Sequence, residues 1–100
     1  MSLGLIFQPE AELDIEDAYA WYEVRSPSLN EQFLGAVGKA LVLVTREPEI
    51  FQRVHHSVRR DLIHRFPYGI FYTIEPNRIV VCAVMHTARH PSRWKHRAKG

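Results

Sequence analysis

The residues with chemistry in them crowd into the second half of this 100-residue chain. All six histidines lie there, and from Ile50 to Gly100 ten Lys and Arg face only two acids, Asp61 and Glu75. His86, Arg89 and Arg59 have the types needed for metal-free phosphoryl transfer on RNA, in which a neighbouring 2′-OH attacks the scissile phosphate. That reaction needs a base for the 2′-OH, an acid for the leaving oxygen and cationic donors for the charged intermediate. Histidine serves as acid or base near neutral pH, and arginine makes the bidentate phosphate contact. His86 closes an apolar run with Arg89 just beyond it, and Arg59 or Arg60 would reach the same phosphate from another strand. Each also has a plainer role open to it. His86 can cap the end of its strand by hydrogen bonds, and Arg59 and Arg60 can pair across strands with a carboxylate such as Glu75.

Two other chemistries draw on the same side chains. Arg59, Arg60, Arg65, Arg89, Arg93, Lys95 and Arg97 would contact phosphates in a plain nucleic-acid binder, with affinity but no sequence specificity. His55 with His56, and His86 with His90, have the look of metal-ligand pairs. His86 and His90 share a face only on a helix, which Pro91 opposes, and no acidic ligand is near in sequence. No metal or other cofactor is therefore expected. The single cysteine, Cys82, excludes an internal disulfide and a cysteine-based zinc site, and reads as a small buried hydrophobe. Glu10, Glu12 and Asp14 suit the positive end of a helix dipole better than a paired-carboxylate site, for which nothing else in the segment speaks.

Composition sets the frame for these residues. An apolar fraction of 46% and a charged fraction of 24% are those of an ordinary folded chain, and the length predicts one domain over residues 1–100. The net charge of +2 conceals a division: residues 1–49 sum to −6 and residues 50–100 to +8. One face is thus expected to meet a polyanion or an acidic partner. Ten Arg against three Lys favour planar recognition of phosphate or carboxylate. No stretch is long and apolar enough to span a membrane and no signal peptide is visible at the start, so a cytoplasmic location without membrane contact is expected.

The elements that must position the candidates follow from periodicity and punctuation. Leu3 to Gln8 predicts a short strand, and Pro9 then opens a helix whose stripe is Ala11, Ile15, Ala18 and Tyr22, ending near Val24 to Ser26. Tyr19 and Trp21 flank that stripe as core margin or interface. Ser28 and Glu31 form a capping box for a second helix carrying Phe33, Val37, Ala40, Leu41 and Val44, with Pro48 at its exit. Gly35 and Gly38 imply close approach to a neighbour, although both face away from the stripe. With only Ser26 and Pro27 between them, the helices should form an antiparallel hairpin. Glu49 to Ser57 reads as a loop. Three strands follow, Val58 to Arg65, Ile70 to Ile74 and Ile79 to Met85, and the last should be interior because seven consecutive apolar residues need cover on both faces. The predicted fold is α+β: a two-layer β-α-α-β-β-β arrangement, an antiparallel meander with the helical hairpin packed on it. In the polar tail from His86 onward, Trp94 is the only large apolar group and should anchor the tail back on the domain.

Ala11, Asp14 and Ile15 early in the first helix, Pro48 after the second, and then VRRDLIHRFPYGIFYTI and IVVCAVMHTARHPSRW resemble the RelE/ParE superfamily of bacterial toxins from type II toxin-antitoxin modules, a group that includes plasmid stabilisation proteins. The likeness runs from about Leu5 to Trp94 and is most specific from Arg59 through Phe66-Pro67-Tyr68 to Tyr72, and at His86, Arg89 and Pro91. It implies a small sheet with a helical hairpin on it, and a cognate antitoxin that wraps and neutralises the toxin in a hetero-oligomer. The basic half, completed by Leu13, Ala20 and Val42, would be its landing surface. It further implies one of two targets, ribosome-bound mRNA cleaved as by RelE-like members or DNA gyrase poisoned as by ParE-like members. In the first branch the chain would be a metal-independent, ribosome-dependent endoribonuclease, with His86, Arg59 and Arg89 catalytic and Arg60, Arg65 and Arg93 holding the nucleic acid. Two departures weaken the transfer of those roles. RVHHSVRR stands where the most active nucleases are lysine-rich, and the chain runs on well past His86. A non-catalytic basic interaction module, a decayed toxin, is the alternative reading.

Overall fold

Pro9 begins the first helix where its missing N–H is no loss, and α1 runs Pro9–Arg25, burying Ala11, Ala18 and Tyr22. The second, α2 (Leu29–Arg46), buries Asn30, Phe33, Val37 and Val44. The two lie side by side as the expected hairpin, but the capping box does not form. Ser28 sits at φ 69, in the left-handed region, and its side chain caps nothing. A side-chain cap needs extended backbone at that position. Here the connection is so short that Ser28 itself reverses the chain, and only its carbonyl serves the helix, accepting the Gln32 N–H at 3.0 Å.

The computed structural model describes residues 4–98 and shows an α+β fold in two layers, the hairpin lying on one five-stranded sheet. Its strands are β1 (Gly4–Phe7), β2 (Arg53–His55), β3 (Val58–Leu62), β4 (Tyr68–Glu75) and β5 (Arg78–His86), in the order β1-β5-β4-β3-β2. Leu3, the expected start of the first strand, lies outside the described residues. Three features differ from expectation. The segment read as a loop contributes β2, which pairs with β3 through a tight turn with His56 at φ 49. β1 pairs with β5 in parallel, so the sheet is mixed and not wholly an antiparallel meander. The first meander strand also stops at Leu62, and residues up to Pro67 form a loop with Arg65 at φ 74.

β5 is interior, between β1 and β4, and is buried from Ile79 to Met85. Its two faces meet different covers. Ile79, Val81 and Val84 pack with Ile70, Tyr72 and Phe33 beneath the helices. Ala83 and Met85 pack with Val58 and Phe71 beneath Trp94. The Trp94 and Phe71 rings stack at 4.4 Å with 27° between planes, so the tail is anchored as the sequence suggests. Two single-turn 3₁₀ helices, Pro91–Arg93 and Lys95–Arg97, carry that tail over the face the helices leave bare. Gly69 leaves room at the mouth of β4. A Cβ there would lie 3.0 Å from Arg60 Cγ, so the absent side chain lets the Arg60 stem cross it. No helix among the described residues is long and apolar enough to cross a membrane.

Candidate functional site

His86 ends β5 opposite Tyr68, the first residue of β4. Beyond it the chain turns sharply, and the His86 ring holds the turn: Ala88 N–H donates to Nδ1 at 3.0 Å, while Arg89 N–H donates to the His86 carbonyl at 3.0 Å. His90 repeats the device. Its Nδ1 accepts from Ser92 N–H at 3.1 Å and so caps the first 3₁₀ turn. The pair that resembled metal ligands thus consists of two side-chain caps, each bonded two residues ahead in the manner of Asn or Ser in a turn. Their product is the placement of Arg89 and Arg93 on the same side of the molecule.

These residues line a cleft of about 200 Å³ between α1 and the end of β5. His86, Arg89, Arg93 and Tyr68 contribute one side, and Asp14, Asp17 and the exposed Trp21 the other. Arg89 and Arg93 form no ion pair with any described residue. Arg97 is committed: its Nη1 donates to Asp14 Oδ2 at 2.6 Å and to the Cys82 carbonyl at 3.2 Å. Asp14 also accepts the Val84 N–H at 3.0 Å, and Gln8 Nε2 donates to the Arg97 carbonyl at 3.0 Å. Asp14 therefore does more than favour a helix terminus. Burial pushes the Tyr68 hydroxyl above its usual pKa, with Arg89 pulling the other way. The hydroxyl stays protonated at neutral pH and is a donor beside two free guanidinium groups.

Arg59 is elsewhere. It faces Tyr72 across the β3–β4 ladder, four residues up β4 from Tyr68, which is roughly 13 Å at the rise of a strand. Its Nη1 donates to the carbonyls of Glu49 and Phe51 at 3.0 and 2.7 Å. Beside it Tyr72 Oη donates to the Pro48 carbonyl at 2.6 Å, and burial carries the Tyr72 pKa up to about 12 against the pull of Arg59. Together they pin the chain between α2 and β2. Glu75 pairs with Arg78 at 2.6 Å, so the cross-strand partner expected for Arg59 or Arg60 is taken within its own hairpin. Arg60 projects from the opposite face of β3, its stem over Gly69. Arg65 lies on the β3–β4 loop, along a separate groove beside α2. The basic residues are thus spread over several surfaces, and of the six named from sequence only His86, Arg89 and Arg93 share one.

Two free guanidinium groups, a phenol and an imidazole suit an anionic group, phosphate or carboxylate. With Nδ1 accepting the Ala88 N–H, Nε2 is the ring nitrogen of His86 left open to a ligand. Sequence reasoning gave Tyr68 no place in the cleft, and it named Asp14 for a helix terminus and Arg97 for phosphate contact without foreseeing that they bond to each other. The last two are 83 positions apart, and no local pattern announces their bond.

A solved structure described as "Chromosomal ParDE TA system from P. aeruginosa" is similar in fold, with a TM-score of 0.76 over 85% of this chain and 96% of that one, at 13% sequence identity. No curated protein sequence matches the chain. The family model for the ParE toxin of the type II toxin-antitoxin system, parDE, matches residues 5–91. That span takes in both helices, the five strands except Gly4 of β1, His86 and Arg89. The chain therefore belongs to the ParE toxin family of type II toxin-antitoxin systems.

Proposed function

We propose that this toxin arrests growth by binding DNA gyrase, without cutting RNA, and that a cognate antitoxin neutralises it. The observation that carries the reading is the engagement of Arg59 with the Glu49 and Phe51 carbonyls, away from His86 and Arg89. Cleavage of RNA needs base, acid and cationic donors on one phosphate. Here the third group belongs to a loop, and one ring nitrogen of His86 is taken up by the Ala88 N–H. Arg89 and Arg93 instead supply an electrostatic contact for an acidic or phosphate-bearing surface of the target.

Induced expression with separate readouts of DNA and protein synthesis tests the assignment. The expected result is early loss of DNA synthesis with DNA damage and filamentation, while translation continues. Early loss of translation, with transcripts cut on ribosomes and cutting abolished in His86→Ala, would select the mRNA branch instead. In the gyrase branch Arg89→Ala combined with Arg93→Ala should weaken arrest at matched protein levels.

A further inference from the structure

The His86 cleft holds more chemistry than a plain electrostatic contact uses. Two of its lining groups are spoken for, since Arg97 and Asp14 stand 2.6 Å apart as a bonded pair and cancel each other's charge. What stays open is the Arg89 and Arg93 guanidinium groups, the Asp17 carboxylate, the Tyr68 hydroxyl, Nε2 of His86 and the Trp21 ring. The Tyr68 and His86 rings meet at 5.5 Å with 69° between planes, so each steadies the other. On the opposite wall Asp17, Trp21 and Arg25 follow at four-residue spacing along α1, which stacks carboxylate, indole and guanidinium on one side of the helix. Trp21 is 48% exposed, yet it is not loose. The Arg25 guanidinium lies 3.5 Å from its ring centroid and is itself tied to the Trp21 carbonyl at 3.2 Å, while Tyr22 meets the ring at 5.1 Å and 86°.

Each wall narrows the choice of ligand. Two unpaired guanidinium groups match a phosphate monoester, which carries about two negative charges at neutral pH, whereas a carboxylate satisfies one of them. Asp17 forms no ion pair with any described residue. It repels a bare anion, and an ionised carboxylate only accepts hydrogen bonds, so a fitting ligand brings hydroxyl or amine donors together with its phosphate. A half-bare indole held in place beside cationic groups offers a surface to a flat ring. Phosphate, hydroxyl donors and a flat ring in one small molecule describe a nucleotide. We propose that the cleft binds a nucleoside monophosphate group, its phosphate on Arg89, Arg93 and the Tyr68 hydroxyl, a sugar hydroxyl donating to Asp17, and its base against Trp21. The cleft, at about 200 Å³, is smaller than the pockets of roughly 300–1,000 Å³ that enclose a drug-sized ligand. It therefore takes one nucleotide with the base at its margin, and not a run of them. A free nucleotide and the phosphorylated end of a strand carry the same chemistry. The inference goes beyond the gyrase reading and does not depend on it, because binding is read on the toxin alone.

The test is isothermal titration calorimetry of the purified full-length chain with adenosine 5′-monophosphate, ribose 5-phosphate, inorganic phosphate, and a short DNA single strand bearing either a 5′-phosphate or a 5′-hydroxyl. Thermal melts establish that each variant is folded. Adenosine monophosphate should bind, and Arg89→Ala combined with Arg93→Ala should weaken it about tenfold or more. Trp21→Ala should weaken it about fivefold or more and leave ribose 5-phosphate, which has no base, unchanged. Asp17→Ala should shrink the advantage of adenosine monophosphate over inorganic phosphate. Arg65→Ala, which removes a cation from the separate groove beside α2, should leave every ligand unaffected. Tighter binding of the free nucleotide than of the 5′-phosphorylated strand assigns the cleft to free nucleotides, and the reverse order, with the 5′-hydroxyl strand weaker, assigns it to strand ends. The proposal is overturned if millimolar adenosine monophosphate does not bind, or if its binding survives the double arginine variant. Equal binding of adenosine monophosphate and inorganic phosphate also overturns it, by reducing the cleft to an anion site. So does equal binding of the two strands, which would mean contact with the backbone alone.

Discussion

Asp61 holds a carboxylate where the surroundings disfavour its charge, and burial lifts its pKa from 3.8 to about 6. A carboxyl whose folded pKa lies above the unfolded one contributes stability at low pH, and that contribution is lost as the pH rises through about 6. Asp61→Asn should therefore stabilise the free protein at pH 7, by on the order of 2 kcal/mol, and make little difference near pH 4. Urea unfolding at the two pH values reads this directly, and an equal gain at both would show that charge is not the cause. Arg59 makes the opposite case, a cation whose partners are all backbone. Losing its two charge-assisted bonds to the Glu49 and Phe51 carbonyls should cost about 2 kcal/mol in Arg59→Ala and speed amide exchange from Ile50 to Arg53. Growth arrest per folded molecule should persist. Arrest abolished with stability intact would return Arg59 to the active machinery.

At the scale of elements, the tail has the clearest structural task. Trp94 covers Phe71, and with it the sheet face the helices do not reach. Trp94→Ala should destabilise by about 3 kcal/mol, as for a buried aromatic removed from a core, and the thermal midpoint should fall accordingly. A change below about 0.5 kcal/mol, the scale of an ordinary surface substitution, would mean the stack is incidental. This anchor was legible because one large apolar group stood alone in a polar segment. Both helices were legible from the helical spacing of their apolar residues, and the interior place of β5 from seven consecutive apolar residues that need cover on both faces. β2 was not. Arg53 to His55 alternates too briefly to register, and its pairing is fixed by the His56 turn and by β3. The parallel docking of β1 depends on where the hairpin returns the chain, which no local pattern records. Ser28 misled because its identity and its distance from Glu31 suit a cap, while the shortness of the connection imposes a left-handed backbone.

Across the whole molecule, the division between an acidic first half and a basic second half does not become two opposed faces. α1 brings Asp14 to Arg97 at 2.6 Å, while Arg89 and Arg93 go to the His86 cleft, Arg65 to the α2 groove, Arg59 to its loop and Arg60 to the far face of β3. The candidate site was accordingly half legible. His86 and Arg89 are near neighbours in sequence and stay together in space, with Arg93 one turn on, whereas Arg59 was joined to them only by residue type. The Asp14–Arg97 bond has a consequence of another kind. β1 covers β5 only as far as Val81, and the strand continues with the apolar residues Cys82 to Met85 along an open margin. Such a margin is a template on which foreign strands add and fibrils begin. Asp14 occupies the Val84 N–H and Arg97 the Cys82 carbonyl, so a single ion pair 83 residues in span denies that template to other copies of the chain.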